Sequence, residues 1–186
     1  MAYQMTNFPV HTIDSAPEAS KPALRNLQSA FGMIPNIAGA MATSPLLINS
    51  LVGLFGQVHG GVFTEAQVQT MLLTNAVTNA CAWAVAFHTA LALKEGLDPA
   101  DVDAIRTGRS PKDSKHNALS TLARTLVEKR GQIDDRDVDR FLVAGFGKDH
   151  LLGVIAVVAA STITNYTGNV TKPPLEAAFQ AHAWSA

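Results

Sequence analysis

Residues 64–96 read TEAQVQTMLLTNAVTNACAWAVAFHTALALKEG, a stretch with neither glycine nor proline until its last position. Thr64 is placed to accept a hydrogen bond from the amide of Gln67, and the Gln67 side chain to reach back to the Thr64 amide, the reciprocal arrangement that starts a helix. Gly96 stands where a left-handed residue closes one. The thirty-one residues between them are long for a single globular helix, so a break is expected. Thr78-Asn79 is the place, because either side chain can cap a new start. Two consecutive helices are expected here, the second carrying Cys81, in an all-α chain.

The rest of the sequence is read against that pair. Upstream, Ser15 before Pro17 predicts a helix entry, with Leu24, Leu27, Ala30 and Phe31 at helical spacing up to Gly32. Ile34-Pro35-Asn36 turns the chain into a short Ala-rich helix through Met41 and Ala42. Ser44-Pro45 starts the next helix, which carries Leu46, Leu47, Leu51, Leu54 and Phe55 and runs out near Gly60-Gly61. Downstream, Asp98-Pro99 opens a short helix closed by Thr107-Gly108, and Asn117 to Lys129 holds Leu119, Leu122, Ala123 and Leu126 on one stripe. Asp134 caps a helix that stops at Gly145, Lys148 to Tyr166 forms an apolar helix, and Pro173 to Ala183 a last short one. The expectation is eight or nine helices, with residues 1–16 as an N-terminal arm and 17–186 as a single domain.

Composition narrows the function classes. The 186 residues hold 14 Lys+Arg against 15 Asp+Glu, a formal net charge of -1, so no global attraction to nucleic acid or an anionic membrane arises. Leu151 to Ile163 is strongly apolar but thirteen residues long, short of the roughly 20 a span needs; it reads as a buried core helix. A single cysteine excludes an intrachain disulfide, and residues 1 to 25 carry no basic segment followed by an apolar one. The expected compartment is the cytoplasm. With only 16% charged residues, the chain has little polar material to cover a monomer, and a symmetric homo-oligomer is expected.

Few residues can carry chemistry. Cys81 is the one thiol, and a helix restarting at Asn79 would place it in a first turn, where free amide N–H groups favour the thiolate. The bland reading is a small buried hydrophobe among Ala80, Ala82 and Ala84. His88 lies seven residues on, close to two turns and about 10 Å along the axis, on the same face but beyond direct hydrogen bonding. His59, His11, His116, His150 and His182 sit at helix ends or in polar contexts and read as capping or solvated groups. No His, Asp or Glu spacing suits a metal, and no glycine pattern suits a phosphate or dinucleotide, so neither metal nor cofactor is expected.

Several segments taken together resemble the alkylhydroperoxidase D-like, peroxidase-related branch of the carboxymuconolactone decarboxylase superfamily. Phe31-Gly32-Met33-Ile34-Pro35-Asn36, followed by Met41-Ala42-Thr43-Ser44-Pro45-Leu46-Leu47, is similar to its FGxxPN...MAxSPxLL opening. Asn79-Ala80-Cys81-Ala82-Trp83-Ala84 and His88 resemble its NxCxYCxxxH segment, and Ala144-Gly145-Phe146 with Asn165-Tyr166 is similar to its closing part. The resemblance covers roughly residues 20 to 180. It implies an all-helical fold, assembly as trimers or hexamers, and in redox-active members a cysteine pair that reduces hydroperoxides while a glutamate and a histidine relay protons.

Carried over by position, Cys81 takes the first cysteine place and His88 the histidine place, while Ala84 replaces the second cysteine and Gln69 the relay glutamate. A dithiol enzyme closes its cycle by condensing a sulfenic acid with a neighbouring thiol, and none is at hand; nor can Gln69 exchange a proton as a carboxylate does. The two-cysteine cycle is therefore expected to be lost. Three readings stay open. The first is a peroxidase-related oxidoreductase in which Cys81 acts on a small molecule of the hydroperoxide class, is regenerated by an external thiol, and is assisted by His88. The second is a cofactor-free, lactone decarboxylase-like enzyme using His88. The third is a non-catalytic oligomeric binding protein.

Overall fold

Cys81 falls between two helices, and not in the first turn of the second as expected from a restart at Asn79. The computed structural model describes residues 8–185, and α4 (Glu65–Thr78) and α5 (Ala82–Lys94) meet at the expected break. Thr64 accepts from the Gln67 amide and Gln67 from the Thr64 amide, closing the capping box. Asn79 ends α4, and Ala80 turns the chain with φ +50°, a left-handed conformation that costs a non-glycine residue strain. Cys81 itself is the N-cap of α5.

Around this pair stand α1 (Lys21–Phe31), α2 (Asn36–Met41), α3 (Pro45–His59), α6 (Pro99–Arg106), α7 (Ser114–Glu128), α8 (Asp135–Val143) and α9 (Lys148–Thr171). Among the described residues there are nine α-helices, two short 3-10 turns and no strand. Helix starts follow the capping chemistry of the sequence: Ser44, Asp98, Asp113 and Asp134 each accept a backbone N–H of the helix they open.

α4 is the hub, packed on α5, α7, α9 and α6, and two apolar clusters share it. One joins α1, α2, α3 and α5 around Leu24, Ile37, Ile48, Leu73 and Val85. The other joins the opposite end of α4 to α7, α8 and α9 around Val68, Leu119, Phe141 and Val154. A polar seam of Thr70 with His116 and Thr74 with Ser120 runs between α4 and α7.

Four other element boundaries differ from expectation. The first segment opens as a 3-10 turn at Glu18–Ser20 and becomes α-helical only at Lys21, with Pro22 in the first turn, where its missing N–H costs nothing. α7 starts three residues before Asn117, because Asp113 accepts the amides of Lys115 and His116. α9 continues past Tyr166 to Thr171, the hydroxyls of Thr167 and Thr171 bonding back to carbonyls one turn earlier. The last segment is not an α-helix: it runs extended from Pro173 and forms a 3-10 turn at Ala177–His182. Of the arm expected over 1–16, residues 1–7 lie outside the described residues. The rest carries no helix and lies on α2, the His11 amide donating to the Gly39 carbonyl at 3.1 Å. A Cβ at Gly39 would come within 2.7 Å of Val10, so only glycine admits the arm this closely.

α9 has 24 residues and is long and apolar enough, by length and composition, to cross a membrane. In this fold it packs against α2, α3, α4, α5 and α7.

Candidate active site

α5 enters the core with Trp83, Ala84, Val85, Ala86, Phe87 and His88 all buried. His88 is 7% exposed, and its Nδ1–H donates to Oε1 of Gln69 at 3.0 Å. Gln69, on the facing side of α4, is itself 2% exposed. Burial, reinforced by the nearby imidazole of His59, pushes the His88 pKa down to about 3. His88 is therefore neutral at physiological pH. With Nδ1 committed as donor, Nε2 carries the lone pair and can only accept.

His88 lines a slot of about 50 Å³ whose wall is apolar, the rings of Phe31, Phe55, Trp83 and Phe87 beside aliphatic residues such as Leu27 and Leu51, with Thr164 as the other polar contributor. The rings brace one another. Phe31 meets Phe55 and Phe87 edge-on at 5.5 and 5.3 Å, and Trp83 stacks on Phe87 at 4.9 Å.

Cys81 lies elsewhere. It is 1% exposed and wedged against Gly168 of α9, where a Cβ would come within 2.6 Å of its sulfur. It lines a separate, larger cleft of about 420 Å³ shared with Trp83, Gly168, Asn169, Lys172 and Pro173. Two influences compete at the sulfur. Burial raises the thiol pKa, while the backbone N–H groups of Ala84 and Trp83, at the start of α5, pull it down; burial prevails. Ala84, at the position of the absent second thiol, has no exposed surface.

Trp83 lines both hollows and is held by a residue that no local motif marks. Its Nε1–H donates to Oε2 of Glu176 at 3.0 Å, and the Asn36 amide donates to Oε1 at 2.6 Å. Glu176 thus caps α2, which lacks a local side-chain cap, from 140 residues away. The C-terminal segment is pinned over α5 by Arg106, whose guanidinium donates to Thr89, His182 and Ala183, and by Trp184 Nε1–H donating to the Arg106 carbonyl. Phe179 then closes edge-on against Phe87 at 5.1 Å.

His59, read from sequence as a helix-end group, is instead held at 2.7 Å, its Nδ1–H donating to Oε2 of Glu65. Its signal was available: Glu65 precedes Gln69 by four residues, on the same face of α4. Among the described residues no group of three or more His, Cys, Asp or Glu side chains could hold a metal.

No protein-family model matches the chain, and no curated protein matches it. Solved structures do. A peroxidase-related protein with an alkylhydroperoxidase D core, from Ralstonia eutropha JMP134, superposes with a TM-score of 0.82 at 16% identity, over 96% of this chain and 96% of that one. A peroxidase-related protein from Silicibacter sp. TM1040 gives 0.78 at 16% identity over 98% and 96%. A debrominase in its apo form gives 0.78 at 15% identity over 96% of both chains. A cysteine-to-alanine variant of that debrominase, in complex with 2,3,4-tribromopyrrole, gives 0.75 at 15% identity over 97% and 96%. The chain has the alkylhydroperoxidase D-like fold.

Proposed function

We propose that this chain uses its fold for non-redox chemistry or binding at the His88 slot: it takes a small, uncharged molecule with an apolar body and one N–H or O–H group. The observation that carries the reading is the neutral His88, oriented by Gln69 at the edge of an aromatic slot. A charged ligand would lose its hydration there with nothing to compensate. An N–H or O–H group would meet Nε2 as acceptor, a contact worth about 1 kcal/mol or somewhat more. That a debrominase of this fold is seen with a flat halogenated pyrrole agrees with the ligand class.

Titration by calorimetry with pyrrole and N-methylpyrrole tests it. Pyrrole should bind about tenfold more tightly, the equivalent of about 1.4 kcal/mol, and His88→Leu should erase the difference. Equal affinities in the unmodified protein would remove the proposal.

A second reading keeps a peroxidase-related, one-cysteine activity, favoured by the place of Cys81 at the N-cap of α5, where the backbone N–H groups of Ala84 and Trp83 lower its pKa against burial, beside an open-sided cleft. It needs a hydroperoxide and an external thiol reductant, because no partner thiol exists. Exposure to tert-butyl hydroperoxide with a sulfenic-acid trap and mass spectrometry separates the two. The slot reading expects Cys81 to stay reduced, and stoichiometric trapping at Cys81 would install the second reading in its place.

We further propose assembly as a homo-oligomer. Leu152, Ile155, Tyr166 and Val170 are exposed at helical spacing along one side of α9, an apolar strip that a second copy would cover. Light scattering on the eluted protein decides it.

A further inference from the structure

Two rings of the slot wall are held by a segment that contributes nothing to the wall itself. Trp83 and Phe87 stand four apart on α5, on one face of the helix; they stack at 4.9 Å and both line the slot. The C-terminal segment touches each of them. Glu176 accepts the Trp83 Nε1–H at 3.0 Å, and the Phe179 ring meets that of Phe87 edge-on at 5.1 Å. Neither Glu176 nor Phe179 lines the slot. Phe87 therefore sits between two rings that differ in place: Phe31, a wall residue, at 5.3 Å, and Phe179, outside the wall, at 5.1 Å. Its position, and with it the width of the slot, is set from both sides.

The segment can bear this load because both of its ends are tied. Glu176 fixes the start to Asn36 and Trp83, while Arg106 donates to the carbonyls of His182 and Ala183, and Trp184 Nε1–H donates to the Arg106 carbonyl. Between these ties Ala177, Ala178, Gln180 and Ala181 are exposed, and Phe179 packs into the cluster around α5. The slot it braces is small. At about 50 Å³ it falls far below the roughly 300–1,000 Å³ of pockets that take drug-sized ligands. A single small ring is the scale of occupant it suits, and a fused second ring would require Phe87 to retreat toward Phe179.

We propose that Phe179 determines the specificity of the slot as a positioning residue acting through Phe87, confining the site to single-ring ligands and excluding fused bicyclic ones. This rests on the slot being the binding site. A smaller side chain at position 179 gives the Phe87 ring room to move outward, and the slot widens. His88 stays as the acceptor, because Gln69 of α4 orients it through a bond the C-terminal segment does not touch.

The experiment titrates the full-length protein by calorimetry with pyrrole and with indole, which carries the same ring N–H on a fused bicycle. The unmodified protein should bind pyrrole at least about tenfold more tightly than indole, the lower end of what a size-limited apolar pocket discriminates. Phe179→Ala should move the ratio of the two affinities at least about tenfold toward indole. Phe179→Leu, the milder truncation, should move it the same way by a smaller factor, and decides the matter should the alanine protein not fold. A loss of stability alone would weaken both ligands alike and leave the ratio unmoved. Indole bound as tightly as pyrrole by the unmodified protein, or a folded Phe179 variant with the original ratio, overturns the assignment. Equal affinities for pyrrole and N-methylpyrrole strike the His88 site itself, whereas an unmoved indole-to-pyrrole ratio strikes Phe179 alone, so the two failures are told apart.

Discussion

Two turns of polypeptide separate Cys81 from His88, and burial acts on both with opposite chemical results. At Cys81 it raises the thiol pKa and keeps the sulfur protonated, the unreactive form. At His88 it lowers the imidazole pKa to about 3 and keeps the ring unprotonated, the form that accepts a hydrogen bond. Both groups are neutral, yet the same desolvation that removes a nucleophile at one end of α5 prepares an acceptor at the other. With Ala at position 84 and Gln at position 69, the chain keeps a buried histidine, a partner that orients it and the slot wall.

The largest effect that would sharpen this contrast is the acid response. His88 titrates near 6.5 when unfolded and near 3 when folded, so below pH 6.5 the unfolded chain binds a proton that the folded chain refuses. Its contribution is fully present above pH 6.5 and is lost as pH falls toward 3, at about 1.4 kcal/mol per pH unit and on the order of 5 kcal/mol in all. Urea unfolding at pH 7.5, 6.0 and 5.0 should show this slope, and a His88→Leu protein should lack that component. Parallel stability curves for the two proteins would mean that His88 is solvated.

The Cys81 end is tested by crowding it. Gly168→Ala places a methyl against the sulfur, at 2.6 Å before relaxation, and near Ile37 at 3.3 Å. The expected loss is about 1–3 kcal/mol, the usual cost of overpacking. Adding Cys81→Ala should restore at least half, a coupling visible in a double-mutant cycle of denaturation midpoints. Additive losses would show that the sulfur has room to move, and the contrast between a packed thiol and an open slot would weaken. Glu176→Gln probes the wall between the two regions. It keeps the shape but removes the charge and one of the two acceptors, so either Trp83 or Asn36 loses its bond, with an expected cost of about 1–3 kcal/mol and a shift in tryptophan emission. Unchanged stability and emission would leave Glu176 without a role in holding that wall.

These tests also mark where the sequence stopped being informative. The break at Asn79 was legible because Thr64, Gln67 and Gly96 fix the outer ends and helix length does the rest, and the helix starts were legible because capping is local chemistry. Gln69 and His88 could be nominated by position, and the structure places them in contact. What could not be read was anything depending on chain segments distant in sequence: Glu176 reaching Asn36, Arg106 holding the C-terminal segment, and Gly168 meeting Cys81. Helical periodicity reports which face is apolar, and not which residue of another helix arrives there. The last segment failed for a related reason, since Leu175, Phe179 and Trp184 are apolar enough to suggest a helix, whereas they are anchors of a strap packed on α5.

The smallest effect belongs to Cys81→Ser, and its smallness is the point. A buried thiol replaced by a hydroxyl ordinarily costs stability, because a more polar group must leave water. Here the side chain sits at the N-cap of α5 without a side-chain capping bond, and serine is a better cap than cysteine because its oxygen accepts a first-turn N–H at shorter range. The two contributions oppose one another at about 1 kcal/mol each, so the denaturation midpoint should move little. Pyrrole affinity at the slot, on the far side of Trp83, should be unchanged. A Cys81→Ser protein that kept its fold but lost slot binding would show that the sulfur acts at the His88 site after all, and the two ends of α5 would have to be treated as one centre.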